Sequence, residues 1–411
     1  MDINEKKTGH PVTPRHAVYA AVCALPAVLT ILFYALRSNT SAMDWVSTRV
    51  SAPVRGALGL LTSVYPFSLM EVLCVFAIVW LIYYIVRTIK ITKRGNNKLS
   101  ILSKRLLTFA VAILYVWVLF CWLWSSGYHA PGFAERNGFA GGGVTQEDLA
   151  AVTSSFADKA NEYALLVRRD DEGRYSEDRG EIFDMSLLIY QNFFAEYPNL
   201  EGKLYRTKPM MFSWLMSRTG YTGVYFALTG EPHININAPV FLMPATIAHE
   251  LAHQLGVFSE DEANFVGILA CITSGFPMYE YAGYLMGLIY LRNALAAADS
   301  YAWIEISDGL HDEVKRDLQD HRDYWQSQKT VDTGIGILDS VLTAVNDTVS
   351  DAVNTVYDGY LRSQNQELGI RSYGACVDLL VEYFTAAPMA VANTAFGGIV
   401  NFKSVKLLNA S

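Results

Sequence analysis

The first third of the chain alternates long apolar runs with short polar connections. Residues 17–36 (AVYAAVCALPAVLTILFYAL), 67–86 (FSLMEVLCVFAIVWLIYYIV) and 106–125 (LLTFAVAILYVWVLFCWLWS) hold at most one charged residue each. As a helix, about 20 consecutive apolar residues cross a hydrocarbon core of about 30 Å. The pattern therefore predicts three transmembrane helices in a membrane region covering 1–125. The first run follows Lys6, Lys7 and Arg15, as a signal peptide would. It is longer than a secretory apolar core and lacks a small-x-small exit, so retention as a span is expected.

Past residue 125 the pattern changes. Residues 126–144 (SGYHAPGFAERNGFAGGGV) are rich in Gly and include Pro131, which reads as a linker. A domain is expected over 145–385, opening at Thr145 as a helix N-cap followed by Glu147 and Asp148. Its periodicity is mainly helical, with one exception. In 222–242 (TGVYFALTGEPHININAPVFL) two β-prone runs flank Thr229-Gly230-Glu231-Pro232, predicting a hairpin with strands near 223–228 and 233–237. Residues 281–298 are apolar, but Arg292 and Asn293 near their middle favour a buried helix over a fourth span. The tail 386–411 carries no functional signature.

Composition agrees with a membrane protein: 52% of residues are hydrophobic, and the mean hydropathy is +0.19. A net charge of -8 argues against a general nucleic-acid binder. Basic residues concentrate between the second and third runs, at Arg87, Lys90, Lys93, Arg94, Lys98, Lys104 and Arg105. Such a loop stays cytoplasmic, which sends the third span outward and places the domain outside the cytoplasmic membrane. Trp117, Trp122 and Trp124 would form an interfacial belt there, and Glu71 would be an interfacial carboxylate. The five cysteines form no C-x-x-C pair, which disfavours thiolate zinc chemistry, although Cys271 and Cys376 could form a disulfide in an extracytoplasmic domain. Nothing in the sequence reports oligomeric state.

Candidate chemistry lies in 245–265, ATIAHELAHQLGVFSEDEANF. His249 and His253 are four residues apart, so on a helix they share a face and can present nitrogens to one Zn2+. Glu250, next to the first histidine, is placed to act as general base on the water that such an ion activates. Three acids follow directly, at Glu260, Asp261 and Glu262. At helical spacing Glu260 shares its face with Ala263, Asn264, Gly267 and Cys271, a stripe small enough for close approach to the HELAH helix. Glu262 shares its face with Phe265, Val266 and Leu269, which reads as core. Glu260 is therefore the preferred third ligand and Glu262 the alternative, with Asn264 expected to accept a hydrogen bond that orients a histidine.

HELAH followed by Glu260-x-x-Ala263-Asn264 resembles the gluzincin metallopeptidases, whose third ligand is a Glu of the following helix. More closely, the chain resembles a family of uncharacterised bacterial membrane proteins with three N-terminal spans. Further matching pieces are Pro66-Phe67-Ser68-Leu69-Met70-Glu71, Thr229-Gly230-Glu231-Pro232, Gly369-Ile370-Arg371-Ser372-Tyr373-Gly374 and Val377-Asp378-Leu379-Leu380. The resemblance implies a membrane-anchored, zincin-like peptidase domain with no settled substrate. Two departures stand out. The segment between His253 and Glu260 is shorter than gluzincins usually have, and Ser259 takes the place of the third metzincin histidine. An oxyanion-stabilising group is expected as well; Tyr373 is the choice, with Arg371, His233, Tyr281 and Tyr284 open.

Two functions follow. One is a zinc metallopeptidase in the cell membrane, cutting a peptide or protein substrate outside it and holding that substrate along the hairpin. The other is a non-catalytic membrane sensor or scaffold that keeps zinc for stability. Glu250 favours the first, since a structural site needs no base.

Overall fold

The computed structural model describes residues 14–139, 144–330, 336–363 and 373–386. These are mainly helical with one small sheet. Helix α1 (Pro14–Leu36) is followed by α2 (Thr40–Trp45), which runs through a π-helical turn, Val46–Ser51, into α3 (Ala52–Ser63). Helices α4 (Leu69–Arg94) and α5 (Lys98–Leu123) form an antiparallel hairpin. Both have the length and apolarity to cross a membrane, and little of either is buried by the rest of the chain. The expectation of three such helices is thus reduced to two. In α1 the apolar stretch among the described residues is Ala20–Leu36, which is shorter, and Pro26 interrupts it. α1 leans on α5 instead, with Tyr115 Oη donating to Val22 O (2.9 Å) and Trp122 Nε1 to Leu29 O (3.2 Å).

The stretch expected to be a linker is mostly packed. Ser125–His129 form a 3-10 turn, α6 (Phe133–Asn137) follows, and Phe133 enters the main core. Residues 140–143 lie outside the described residues. Trp124 is not an interfacial tryptophan but a buried one, packed against Tyr225 and Phe258.

The core is built on three consecutive helices, α11 (Met243–Leu255), α12 (Glu260–Ile272) and α13 (Pro277–Ala298). α7 (Gln146–Ala164) and α17 (Tyr373–Ala386) pack around them. Ile247, Leu251, Phe265, Leu269, Leu285 and Leu288 are fully or almost fully buried there. The α13 segment that tempted a fourth span is part of this core, and Arg292 donates to Ser307 Oγ (2.7 Å). Cys271 and Cys376 are both buried and both free.

The sheet has the order β1-β3-β2, from β1 (Lys208–Pro209), β2 (Gly223–Phe226) and β3 (Glu231–Ile234). β2 and β3 form the expected antiparallel hairpin, with Val224 opposite His233 and Phe226 opposite Glu231. β1, parallel to β3, is too short to leave a periodic signal.

Two segments far apart in sequence join the span hairpin to this sheet. At the start of α4, the N–H groups of Leu69 and Met70 donate to the buried Glu231 carboxylate (3.1 and 3.0 Å). Lys208 pairs with the same carboxylate and also donates to Thr62 O (2.8 Å) and Phe67 O (3.2 Å). In return, Glu71 of α4 accepts from the N–H groups of Met211 (2.9 Å) and Phe212 (2.8 Å), at the head of α10 (Ser213–Thr219). Glu71 is therefore a buried helix cap rather than an interfacial carboxylate. His233 Nε2 lies 2.9 Å from Ser68 Oγ and is fully buried, so it is no solvent-facing catalyst. Gly230, at φ +70°, permits the close approach: a Cβ there would fall 2.5 Å from Gly59 N.

This clamp predicts that Glu231→Gln, which strands the Lys208 ammonium in a buried site, lowers stability by about 3–5 kcal/mol. Thermal unfolding of the detergent-solubilised full chain measures it; an unchanged midpoint would show that the clamp does not hold the two parts together.

Candidate metal centre and cleft

α11 begins with Pro244 in its first turn, where the missing N–H is not needed. It ends at Gly256, whose φ of +99° reverses the chain, while Val257 N–H closes the helix on Ala252 O (3.0 Å). Only Gly256–Ser259 separate α11 from α12. Along α12, Ala263 and Cys271 are fully buried, and a Cβ at Gly267 would sit 2.9 Å from His249 N. The small stripe thus brings α12 directly onto α11, and Glu260 onto the histidines.

His249 Nε2 and His253 Nε2 lie 3.3 and 3.6 Å from the same oxygen, Glu260 Oε2. All three donor atoms fall within 4.8 Å of one another. Ligands bound tetrahedrally at 2.0–2.1 Å stand about 3.3 Å apart, so these spacings fit one zinc ion. The tautomer of His253 suits it too. Its Nδ1 is 2.7 Å from Val257 O, which can only accept, so Nδ1 carries a proton and Nε2 is the nitrogen that faces the cluster.

Electrostatics ties the three together. Burial disfavours a charged His253, but the Glu260 carboxylate outweighs it and lifts the imidazole to about 9. Burial likewise favours the neutral acid at Glu260, yet His253 and His249 hold it well below the ordinary carboxylate range. Glu250 behaves differently. It is buried beneath β2, so close that a Cβ at Gly223 would meet its Oε1 at 2.4 Å. Its Oε2 has no hydrogen-bond partner, and burial pushes its carboxyl up to about 7. A carboxylate balanced near neutrality can both take and return a proton.

The donors open into a cleft of about 930 Å3. One wall is β2, the edge strand of the sheet, all four of whose residues line it; another is α16 (Gly336–Ser363); a third is the end of α5, with Phe120 and Trp124. The lining is largely apolar, with Met216, Val224, Ile268 and Val353 among it. An edge strand beside a cleft can take a peptide as an added strand.

The other candidate residues are dispersed. The Glu262 carboxylate accepts from Phe133 N–H and Ala134 N–H (both 2.9 Å), capping α6, and so is occupied away from the donors. Asn264 lines the cleft, but its Oδ1 accepts from Tyr290 Oη (3.3 Å) and not from a histidine. Tyr281 is bound to Asp317, and Tyr284 stacks on Tyr163. The side chains of Arg371 and Tyr373 lie outside the described residues. One residue was missed. Tyr357 of α16 donates to Glu260 Oε1 (2.6 Å), leaving Oε2 for the imidazoles. Its only sequence signal is a Tyr357/Tyr360 pair at helical spacing, far from the motif.

Residues 47–381 match the family described as "Protein of unknown function (DUF3810)". The chain belongs to this family. The DUF3810 match takes in both membrane-length helices, both halves of the clamp and all three donors. No curated protein matches the chain, and no solved structure does.

Zinc titration of variants tests the geometry. Glu260→Gln should lose stoichiometric zinc, whereas Glu262→Gln should keep it and lose about 1 kcal/mol of stability with the α6 cap. In the same series Tyr357→Phe should weaken zinc affinity about 10- to 100-fold. Retained zinc in Glu260→Gln, or its loss in Glu262→Gln, would reverse the ligand assignment.

Proposed function

We propose that the chain is a membrane-anchored zinc metallopeptidase of gluzincin type, hydrolysing a peptide or protein substrate outside the cytoplasmic membrane. Glu250 carries this reading. A carboxylate with an unpartnered oxygen, buried within reach of a metal-donor trio, costs stability and does nothing for a purely structural zinc site. General-base catalysis gives it a role.

In this reading Zn2+ is held by His249, His253 and Glu260, and when bound it supplies Lewis acidity and acidifies water. The substrate lies along β2, over Gly223, where the lack of a side chain leaves room for Glu250 below. Glu250 takes the proton of the attacking water and returns it to the leaving amine. Tyr357 donates its hydroxyl proton to Glu260 and holds that carboxylate in place. The anchor consists of α4 and α5. The basic α4–α5 turn faces the cytoplasm, which puts the metal centre outside.

The scaffold alternative differs in one observable. In the full-length protein, Glu250→Gln should keep its zinc and lose peptide hydrolysis by about 10²- to 10⁴-fold, read on a peptide library and on the cell's surface proteome. Identical cleavage profiles for the two proteins would leave only the scaffold reading.

A further inference from the structure

α10 buries Met216 but turns its other large apolar side chains outward. Ser213 and Ser217 face the protein, where Ser213 Oγ accepts from Ile236 N–H (3.1 Å) and Ser217 Oγ lies 2.5 Å from Tyr324 Oη. Trp214 and Leu215 face outward, joined by Met211 and Phe212 just before the helix, and Trp214 is 58% exposed. α16 repeats the arrangement alongside. Asn346 and Ser350 turn inward, to Gln328 O and Arg218 O, while Val345, Val349, Val353 and Val356 form an exposed stripe. At about 100° per residue, Asp347, Asp351 and Asp358 fall on the side of α16 opposite the valines.

Polar groups inward, apolar groups outward and acids on the far side is the reverse of a helix packed on a core in water. It suits a helix lying at a lipid surface. Attachment decides between lipid and a protein partner. The head of α10 is bonded to Glu71, in the first turn of α4, whose next turns expose Val72, Leu73 and Phe76. The last turns of α16 reach the other span helix, where Tyr360 packs on Phe120 of α5 at 5.2 Å between ring centres. Exposed apolar side chains are thus carried by α4 and α5 and by the α10 and α16 segments bonded to or packed on them.

We infer that the α10–α16 face inserts into the outer lipid leaflet, so that the mouth of the cleft opens at the bilayer surface. The inference rests on α4 and α5 spanning the membrane. It narrows the substrate class to polypeptide that emerges from, or is anchored in, the bilayer, since Val353 and Val356 both insert and line the cleft.

The test uses the full chain in nanodiscs of phosphatidylethanolamine and phosphatidylglycerol. A photoreactive benzophenone residue replaces Trp214, Val349, Asp351 or Phe76, and lipid adducts are read by mass. Positions 214 and 349 should give adducts at a level comparable with position 76 and about tenfold above position 351, on the watery flank of the same helix. Adducts at 76 alone would overturn the inference while leaving the spans intact. Protein crosslinks in place of lipid at 214 and 349 would overturn it in favour of a polypeptide cover. No adducts at 76 would instead remove the membrane-spanning reading itself.

Discussion

The packing of α12 on α11 leaves no room for a side chain at Gly267, where a Cβ would meet the backbone nitrogen of His249 at 2.9 Å. That contact fixes how close the two helices come. With Gly256 turning the chain in a left-handed conformation and only four residues in the connection, Glu260 can reach only the ground above His249 and His253. The donor trio is thus a consequence of backbone packing more than of side-chain choice. A larger residue at 267 would part the helices and carry the carboxylate away from the imidazoles.

Four other carboxylates show what burial demands. Glu71 and Glu262 each cap a helix with two backbone N–H groups, and Glu231 does so with help from Lys208. These three offset the loss of water with bonds to donors, the ordinary condition for a buried charge. Glu250 lacks such a bond at one oxygen, and burial pushes its carboxyl up to about 7. Of these four, Glu250 is the one that lies beside the donor trio with an oxygen no donor meets.

Local patterns were readable in the sequence where one helix or strand carried the whole signal. The HELAH spacing, the small stripe from Glu260 to Cys271, the β2–β3 hairpin and the apolar α4 and α5 all have periodicities that a single element displays. What failed to show depends on contacts between distant segments. Glu71 reads as interfacial until Met211 and Phe212 come to it, and Trp124 reads as a membrane-belt residue until Phe258 and His253 pack on it. Glu262 could not be set aside before α6 was seen to need a cap. Tyr357 sits 97 residues beyond Glu260, on a helix whose pattern says only that it is amphipathic. The expected linker failed for the same reason: Gly127 and Gly132 serve close packing, against Phe258 and the Glu262 carboxylate.

The two membrane-length helices and the donor trio are joined physically by the clamp and the cleft. Pro66–Glu71 and Thr229–Pro232, separate pieces of the family resemblance, lock onto each other and fix the domain at one end of the span hairpin, while α5 and α16 wall the metal cleft at that same end. The central claim is that this cleft holds zinc on two histidines and one glutamate. Zinc-edge X-ray absorption of the purified full-length protein tests it most directly. The account predicts one zinc per chain with nitrogen and oxygen neighbours at about 2.0–2.2 Å and no sulfur shell. Zinc with sulfur at about 2.3 Å, or a chain that holds no stoichiometric zinc, would contradict it.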